Sequence, residues 1–262
     1  MIRTTGLLVA TLFGLVLTGC ATTPDTGPTT RAGMDRVSPV RAAEVNTRLG
    51  IGYLERGEMQ IAMEKLNTAL RHDPAHVPAI VTLAMIYEEV GNSSQAERHF
   101  RQALRHAPND GATLNSYAVF RCRRGDYADA EDMFERALLD PFYATPEVAK
   151  LNAGACARRS GELERAEEHL RGALEIDPEL PGALFHLAQL YYQRDDAFRA
   201  RAFLQRFEAA GQTEPGALLL GYRVESSLGN ASEARQYGSI LEERFPDSRE
   251  ARELRTQVHN DD

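Results

Sequence analysis

The chain has 262 residues, of which 43% are hydrophobic and 26% are charged, an ordinary composition for a globular protein. Its 30 Lys and Arg residues against 38 Asp and Glu give a net charge of −8, and no basic stripe with interleaved aromatics is present, which excludes nucleic acid as a partner. Ala, Leu, Glu and Arg dominate and runs of Val, Ile and Thr are missing, which favours helix throughout.

Residues 1–19 have the layout of a cleaved signal peptide. Arg3 precedes an apolar run from Leu7 to Leu17 that is too short to serve comfortably as a permanent transmembrane helix. The run ends in Leu-Thr-Gly followed by Cys20, which resembles the lipobox of bacterial lipoproteins. This resemblance implies that Cys20 becomes the acylated first residue of the mature chain. An ordinary signal peptide that happens to contain a cysteine is the alternative.

The segment after the signal peptide predicts an anchored, flexible tether. Residues 20–40 are rich in Thr, Pro and Gly and have no apolar periodicity, so they place the folded body about 25 Å from a bilayer. Ala21, and not Asp, follows the cysteine. By resemblance to bacterial lipoprotein sorting, this implies a lipid-anchored protein on the periplasmic face of the outer membrane.

From residue 41 to residue 262, small residues and prolines recur at a constant interval, as in the pairs Tyr53 and Tyr87, Gly57 and Gly91, and Pro74 and Pro108. A period of about 34 residues is typical of helix-turn-helix repeats. The pattern resembles the tetratricopeptide-repeat family. The resemblance implies an all-α, right-handed α-solenoid of six helix-turn-helix repeats with a C-terminal capping helix. The repeats are predicted to begin near residues 43, 77, 111, 147, 181 and 215, and the cap covers residues 247–262.

Fixed positions of each repeat have a physical role. Small residues on the first helix let the two helices of a repeat approach closely, a glycine ends that helix, and a proline ends the second helix. The small residues are Gly50, Ala84, Ala118, Gly154 and Ala188. Three departures stand out: Arg121 occupies a tyrosine position, residues 141–143 contain an insertion, and Asp195 replaces the turn glycine of the fifth repeat.

In this family the first helices line a concave surface, and the fifth, ninth and twelfth positions of each repeat face it. The predicted partner-binding groove comprises Ile51, Leu54, Val81, Met85, Asn115, Val119, Leu151, Arg158, Phe185, Gln189, Tyr192 and Leu219. Because most of these residues are apolar, the sequence predicts an apolar ligand surface. Two alternatives remain: some residues belong to the core between repeats, or the chain end folds over them.

Charged residues of the first helices leave two interpretations open. The Lys and Asn set with which chaperone-binding members of the family hold a C-terminal carboxylate is not present at these positions. Arg123, Arg124, Arg158 and Arg159 cluster at the ends of the third and fourth first helices. They could hold an acidic partner segment, or they could be solvated residues that the helix dipole stabilises.

Cys122 and Cys156 are one repeat period apart, on the first helices of neighbouring repeats. In an oxidising periplasm they could form a disulfide between the third and fourth repeats, and two buried free thiols are the alternative.

No catalytic motif is present in the sequence. His72 and His76 have helical spacing, but Pro74 breaks the helix between them, and no phosphate-binding loop, nucleophile elbow or zinc motif is found. The sequence therefore predicts a protein that is not an enzyme and that uses no metal, cofactor or small-molecule substrate.

The lipobox, the short tether and the six repeats together resemble the type IV pilus biogenesis and stability proteins (PilF/PilW). The resemblance covers nearly the whole mature chain. It implies a pilotin, an outer-membrane lipoprotein that binds secretin subunits and promotes their localisation or multimerisation. Another periplasmic scaffold, such as a component of the β-barrel assembly machinery, is the rival within the binding class. An enzyme accessory or peptidoglycan-acting protein is the rival outside it.

Overall fold

The structure is a computed structural model that describes residues 38–261, with side chains to residue 257. The predicted signal peptide, Cys20 and residues 21–37 of the predicted tether lie outside the described residues. The described part of the chain consists of thirteen α-helices without a strand. They are α1 Pro39–Glu55, α2 Met59–His72, α3 Val77–Glu89, α4 Ser93–His106, α5 Gly111–Arg123, α6 Tyr127–Leu138, α7 Pro146–Ser160, α8 Leu163–Ile176, α9 Pro181–Gln193, α10 Ala197–Ala209, α11 Pro215–Ser227, α12 Ala231–Arg244 and α13 Arg249–Asp261.

Most first helices begin where the repeat period predicts. Four first helices begin at the predicted residues 77, 111, 181 and 215, and α7 begins one residue before 147. Only α1 departs clearly, because it begins at Pro39 inside the segment predicted as tether. Ser38 caps it by accepting a hydrogen bond from the Arg41 backbone N–H (3.2 Å), and proline is favourable in the first turn, where its missing N–H costs nothing.

The second helices each bury one narrow stripe. In the second helices α2, α4, α6, α8 and α10, three buried residues recur at i, i+4 and i+7, which is one face of a helix, and α8 also buries Gly172. They are Ala62, Leu66 and Ala69; Ala96, Phe100 and Ala103; Ala130, Phe134 and Ala137; Ala166, Leu170 and Ala173; and Ala200, Leu204 and Phe207. A helix with a single buried stripe lies at the outside of the fold. From α3 onward the first helices bury residues on more than one side because they have more neighbours, whereas α1, at the start of the stack, buries a single stripe.

Close approach within a repeat depends on the small residues of the first helix. A Cβ atom placed on Gly154 would lie 2.6 Å from Leu170 Cγ, and one placed on Gly50 would lie 2.8 Å from Leu66 Cγ. Both distances are shorter than van der Waals contact. The role predicted for these small positions is therefore confirmed, since the large residue of the second helix fills the space that the missing side chain leaves.

The turn between the two helices of a repeat needs one residue with positive φ. Gly161 has a φ of 88°, and in the fifth repeat Asp195 adopts a φ of 59° at the place of the missing glycine. Aspartate tolerates this left-handed region better than most residues with a side chain. The fold therefore keeps the turn geometry even where the sequence departs from the motif.

Replacing Gly161 by alanine is expected to lower the free energy of unfolding by about 1–2 kcal/mol, because the new Cβ clashes with its own backbone at positive φ. Gly52 is the matched control: it lies inside α1, and apart from its chain neighbours and the adjacent backbone of α1 no atom lies within 4 Å of the place where its Cβ would be. Gly52→Ala should therefore raise stability by up to about 1 kcal/mol. Chemical denaturation measures both changes. Equal effects of the two substitutions would contradict the role of the turn.

The insertion before the fourth repeat forms a short loop between α6 and α7. Asp140 accepts hydrogen bonds from the backbone N–H groups of Gly111 (2.8 Å) and Phe142 (3.0 Å), and these bonds lower the pKa of its carboxyl group. The Tyr143 side chain packs on Gly111, where a Cβ would lie 2.7 Å from the tyrosine Cβ. The loop is thus tied to the third repeat, and Phe142 is left 92% exposed.

Candidate functional site

The concave surface of the solenoid is formed by the first helices. Each of them contacts the first helix of the next repeat, as in α3 with α5, α5 with α7 and α7 with α9. Within residues 38–261 no Cα atoms of two second helices lie within 8 Å of each other, and these helices meet only through long side chains, as where His169 Nε2 of α8 lies 2.8 Å from Glu131 Oε1 of α6. In a curved stack of repeats, helices whose backbones approach one another lie on the inner side, and helices whose backbones are farther apart lie on the outer side. The layer α1, α3, α5, α7, α9 and α11 is therefore the inner one.

The predicted groove residues differ in how much of their surface is available. Met85 and Ile51 are exposed, at 49% and 38%. Most of the others are half-buried: Leu54, Val81, Val119, Leu151, Arg158, Phe185, Gln189 and Tyr192. The open apolar surface is therefore concentrated in the first two repeats, while the later repeats offer partial faces of larger side chains.

Two groove residues also hold neighbouring repeats together. The Leu151 side chain lies against Gly182, where a Cβ atom would be 2.8 Å from Leu151 Cδ2. One repeat later, Phe185 lies against Gly216 in the same way and packs on the Phe207 ring, with centroids 5.5 Å apart. These two residues thus belong partly to the core between repeats, which was one of the alternatives the sequence left open.

Two predicted groove residues are almost fully buried. Leu219 is 4% exposed because it packs in one cluster with Ala251 and Leu254 of α13. Asn115 is 9% exposed, and its Oδ1 accepts a hydrogen bond from Asn152 Nδ2 (3.1 Å), which joins α5 to α7. In this structure both residues stabilise the solenoid, and of the two only Leu219 lines the cleft at the C-terminal end of the concave surface. At Leu219 the chain end does fold over the stripe.

The C-terminal part of the concave surface contains a cleft of about 370 Å³. Its polar side chains come from four helices: Arg158 of α7, Gln189, Tyr192 and Gln193 of α9, Arg223 of α11, and Arg249, Glu250 and Glu253 of α13. Arg223 forms an ion pair with Glu253. The Arg158 Nε atom is buried and has no hydrogen-bond partner in the structure.

The sequence predicts Arg158, Gln189 and Tyr192 as groove residues, and the structure brings them together in this cleft. It does not predict Arg249, because that residue belongs to the capping helix, which has no counterpart in the repeat register. The sequence reading also misses the role of Gly182 and Gly216, on which Leu151 and Phe185 pack, although a repeated motif marks both positions. Both lie in the tetrapeptide Pro-Gly-Ala-Leu, which opens the fifth repeat and occurs again at the start of the sixth.

Cys122 and Cys156 meet between α5 and α7. Their Cα atoms are 5.8 Å apart, within the range of disulfide-bonded pairs, and the two sulfur atoms are at bonding distance. Both side chains are buried. The insertion between the third and fourth repeats does not separate them, because it is accommodated in the loop before α7.

Within the described residues, no helix is long and apolar enough to cross a membrane. In the same part of the chain, no group of three or more His, Cys, Asp or Glu residues is arranged to hold a metal ion.

Comparison with known proteins agrees with the helical repeats. Tetratricopeptide-repeat family models match residues 53–115, 121–181 and 157–221. The fold and its concave surface define a tetratricopeptide-repeat protein, a class whose members bind other proteins. The chain is 28% identical to the type IV pilus assembly protein PilF of Pseudomonas aeruginosa over 249 residues, which cover 94% of this chain and 96% of PilF.

Two solved structures are similar over most of their length. The crystal structure of PilW, described as a widely conserved type IV pilus biogenesis factor, has a TM-score of 0.74 and 31% identity, and the match covers 81% of this chain and 97% of PilW. A structure of Pseudomonas aeruginosa PilF has a TM-score of 0.73 and 26% identity, with 84% and 99% covered. The chain belongs to the PilF/PilW family of type IV pilus biogenesis proteins.

Proposed function

We propose that this protein is a non-enzymatic outer-membrane lipoprotein that binds secretin subunits of the type IV pilus machinery. It promotes their outer-membrane localisation or multimerisation and so permits pilus assembly. The similarity to PilF over 94% of the chain carries the proposal. This similarity also favours a pilus scaffold over a component of the β-barrel assembly machinery. Acylation of Cys20 would hold the scaffold at the periplasmic face of the outer membrane.

The exposed apolar residues of the first two repeats are the surface that we assign to the secretin. Ile51 and Met85 lie at the same ninth position of consecutive repeats, so they are one repeat apart on the inner layer. Apolar side chains that remain open in a concavity gain free energy when a partner covers them. A protein segment that presents apolar residues can therefore be held along α1 and α3.

Copurification of the detergent-solubilised protein with secretin tests this assignment. Ile51→Glu and Met85→Glu place a charge on the proposed contact surface, and we expect the double variant to retain less than one tenth of the secretin. Phe198→Glu is the matched control, because Phe198 is 70% exposed on the second helix α10, outside the inner layer. Equal copurification by the double variant and the control would refute the contact surface.

A deletion strain provides the functional measurement. It should lose heat-stable secretin multimers and twitching motility, and the wild-type gene should restore both. A Cys20→Ser variant should lose the acyl mass that intact-protein mass spectrometry detects on the wild type, and with it the membrane fraction. Unchanged multimers in the deletion strain would refute the function, and an unacylated wild-type protein would refute the anchor.

A further inference from the structure

Arg158 is an isolated cation in the inner layer of the solenoid. Its side chain is half-buried near the end of α7, and its Nε atom has no hydrogen-bond partner. Within residues 38–257, no carboxylate lies within ion-pair distance of its guanidinium group. Burial, and secondarily the charge of Arg159, lower the pKa of Arg158. The environment therefore disfavours the charge that Arg158 carries.

Other half-buried arginines of this chain are neutralised. Arg121 forms ion pairs with Glu97, Asp126 and Asp129. Arg194 forms ion pairs with Glu164 and Glu167. Because the chain has 38 acidic and only 30 basic residues, carboxylates are available to satisfy an arginine. Arg158 is the exception to this pattern within residues 38–257, and an unpaired cation removed from water is costly unless a ligand compensates it.

The residues around Arg158 do not supply that compensation. His186 is half-buried beside Gln189, with its Nδ1 atom 3.1 Å from Gln189 Oε1, and its pKa is lowered by burial and by the charge of Arg158. It is therefore neutral near pH 7. Arg249 is exposed at the first position of α13, which is the end of a helix that disfavours a cation. The cleft thus brings together Arg158 and Arg249, neither of which forms an ion pair within residues 38–257.

The charges of the cleft leave room for an anion. Arg223 is occupied by Glu253, so three arginines face two glutamates, and Glu250 is the one acidic side chain of the lining that has no ion pair among the described residues. Gln189 and Tyr192 offer further polar groups on the α9 side. A guanidinium group binds a carboxylate through two parallel hydrogen bonds. Within residues 38–257 Arg158 has no carboxylate that makes this interaction.

We propose that this cleft binds an Asp or Glu side chain of an extended protein segment that lies along the concave surface. The cleft is open, and the half-buried apolar faces of Leu151 and Phe185 continue the inner layer beside it. A segment that passes through such a surface presents side chains and not its terminus. The inference deepens the proposed function, because it names the chemistry of the partner segment that the later repeats recognise.

Peptide selection tests the inference even while the partner segment is unidentified. A library of random dodecapeptides, displayed with their C-termini joined to the phage coat protein, is selected on the purified full-length chain. We expect enrichment of sequences with Asp or Glu beside apolar residues. A selected peptide, synthesised with blocked ends, should bind Arg158→Gln at least tenfold more weakly than the wild type, and Arg158→Lys should recover only part of the loss.

Two controls make the result specific to the cleft. Arg159→Gln removes the same charge from the exposed neighbouring residue and should change the affinity by less than twofold. Replacing Asp or Glu of the peptide by Asn or Gln should cost at least tenfold on the wild type and almost nothing on Arg158→Gln, because the two changes remove the same contact. If Arg158→Gln fails to fold, as judged by its thermal melt, Arg249→Gln replaces it, with a loss of about threefold.

Three results would overturn the inference. No acidic enrichment, or equal affinity for the wild type and Arg158→Gln, overturns it. Tighter binding of a neutral peptide with a free C-terminus than of the acidic, blocked peptide also overturns it, in favour of a terminal carboxylate. Because no secretin is present in this assay, its failure refutes only the cleft. Failure of wild-type secretin copurification refutes only the secretin assignment.

Discussion

Removing the disulfide that we propose between Cys122 and Cys156 is expected to lower the free energy of unfolding by about 3–4 kcal/mol. The cysteines have a sequence separation of 34, and a cross-link of that span restricts the unfolded chain by about this amount. The bond connects the first helices of two successive repeats. Its loss should therefore act mainly on the contact between α5 and α7.

Denaturation of the chain with Cys20→Ser, which removes the third thiol, measures this effect with and without reductant. The same measurement on the Cys122→Ala, Cys156→Ala variant is the control, and reductant should not change it. Titration of free thiols in the unfolded, non-reduced protein decides between the two alternatives that the sequence leaves open. Two reactive thiols per chain would contradict the bond and support a pair of buried free cysteines.

Phe100→Ala is expected to cost about 3–5 kcal/mol, because it removes a fully buried aromatic side chain and leaves a cavity. Phe100 stacks on Tyr117 with ring centroids 5.1 Å apart, and its ring centroid lies 5.4 Å from that of Phe120. The substitution therefore removes two aromatic contacts as well as buried apolar surface. These rings join α4 of the second repeat to α5 of the third. The loss should therefore appear at the boundary between the two repeats.

Phe142→Ala is the matched control, since the same residue type is 92% exposed there, and its effect should stay within about 0.5 kcal/mol. Chemical denaturation gives the total change for each variant. Hydrogen exchange locates it: amides of α4 and α5 should lose protection before those of α11 and α12, because each repeat contacts only its neighbours. Equal destabilisation by both substitutions would contradict the packing.

Most of the fold could be predicted from the sequence because one pattern recurs. The repeat register places Ala, a large apolar residue and Ala on four of the six second helices, so these repeats support one another. The first helix lacks this support at its beginning. Ser38 and Pro39 start α1, yet the same residue types also occur in flexible segments, and the sequence alone assigns them to the tether.

The sequence predicts the candidate site only as a stripe of positions along the first helices, without the exposure of each side chain. Position in a repeat indicates that a residue points toward the inner layer, but not how much of it a neighbouring helix covers. Met85 and Leu219 are both apolar members of the predicted groove, yet one is exposed and the other is packed under α13. Arg249 reaches the cleft from the capping helix, which follows no repeat register.

The sequence by itself determined the helical repeats, their number, most of the residues that bury the second helices and, by resemblance, the family. These properties depend on periodic, local patterns. The tertiary structure alone decided that Asp195 adopts the turn conformation of the glycine it replaces and that Asn115 and Leu219 are almost fully buried. It alone also decided that Arg158 and Arg249 line one cleft. Those properties depend on backbone geometry and on contacts between residues that are distant in the chain, and a one-dimensional period does not specify them.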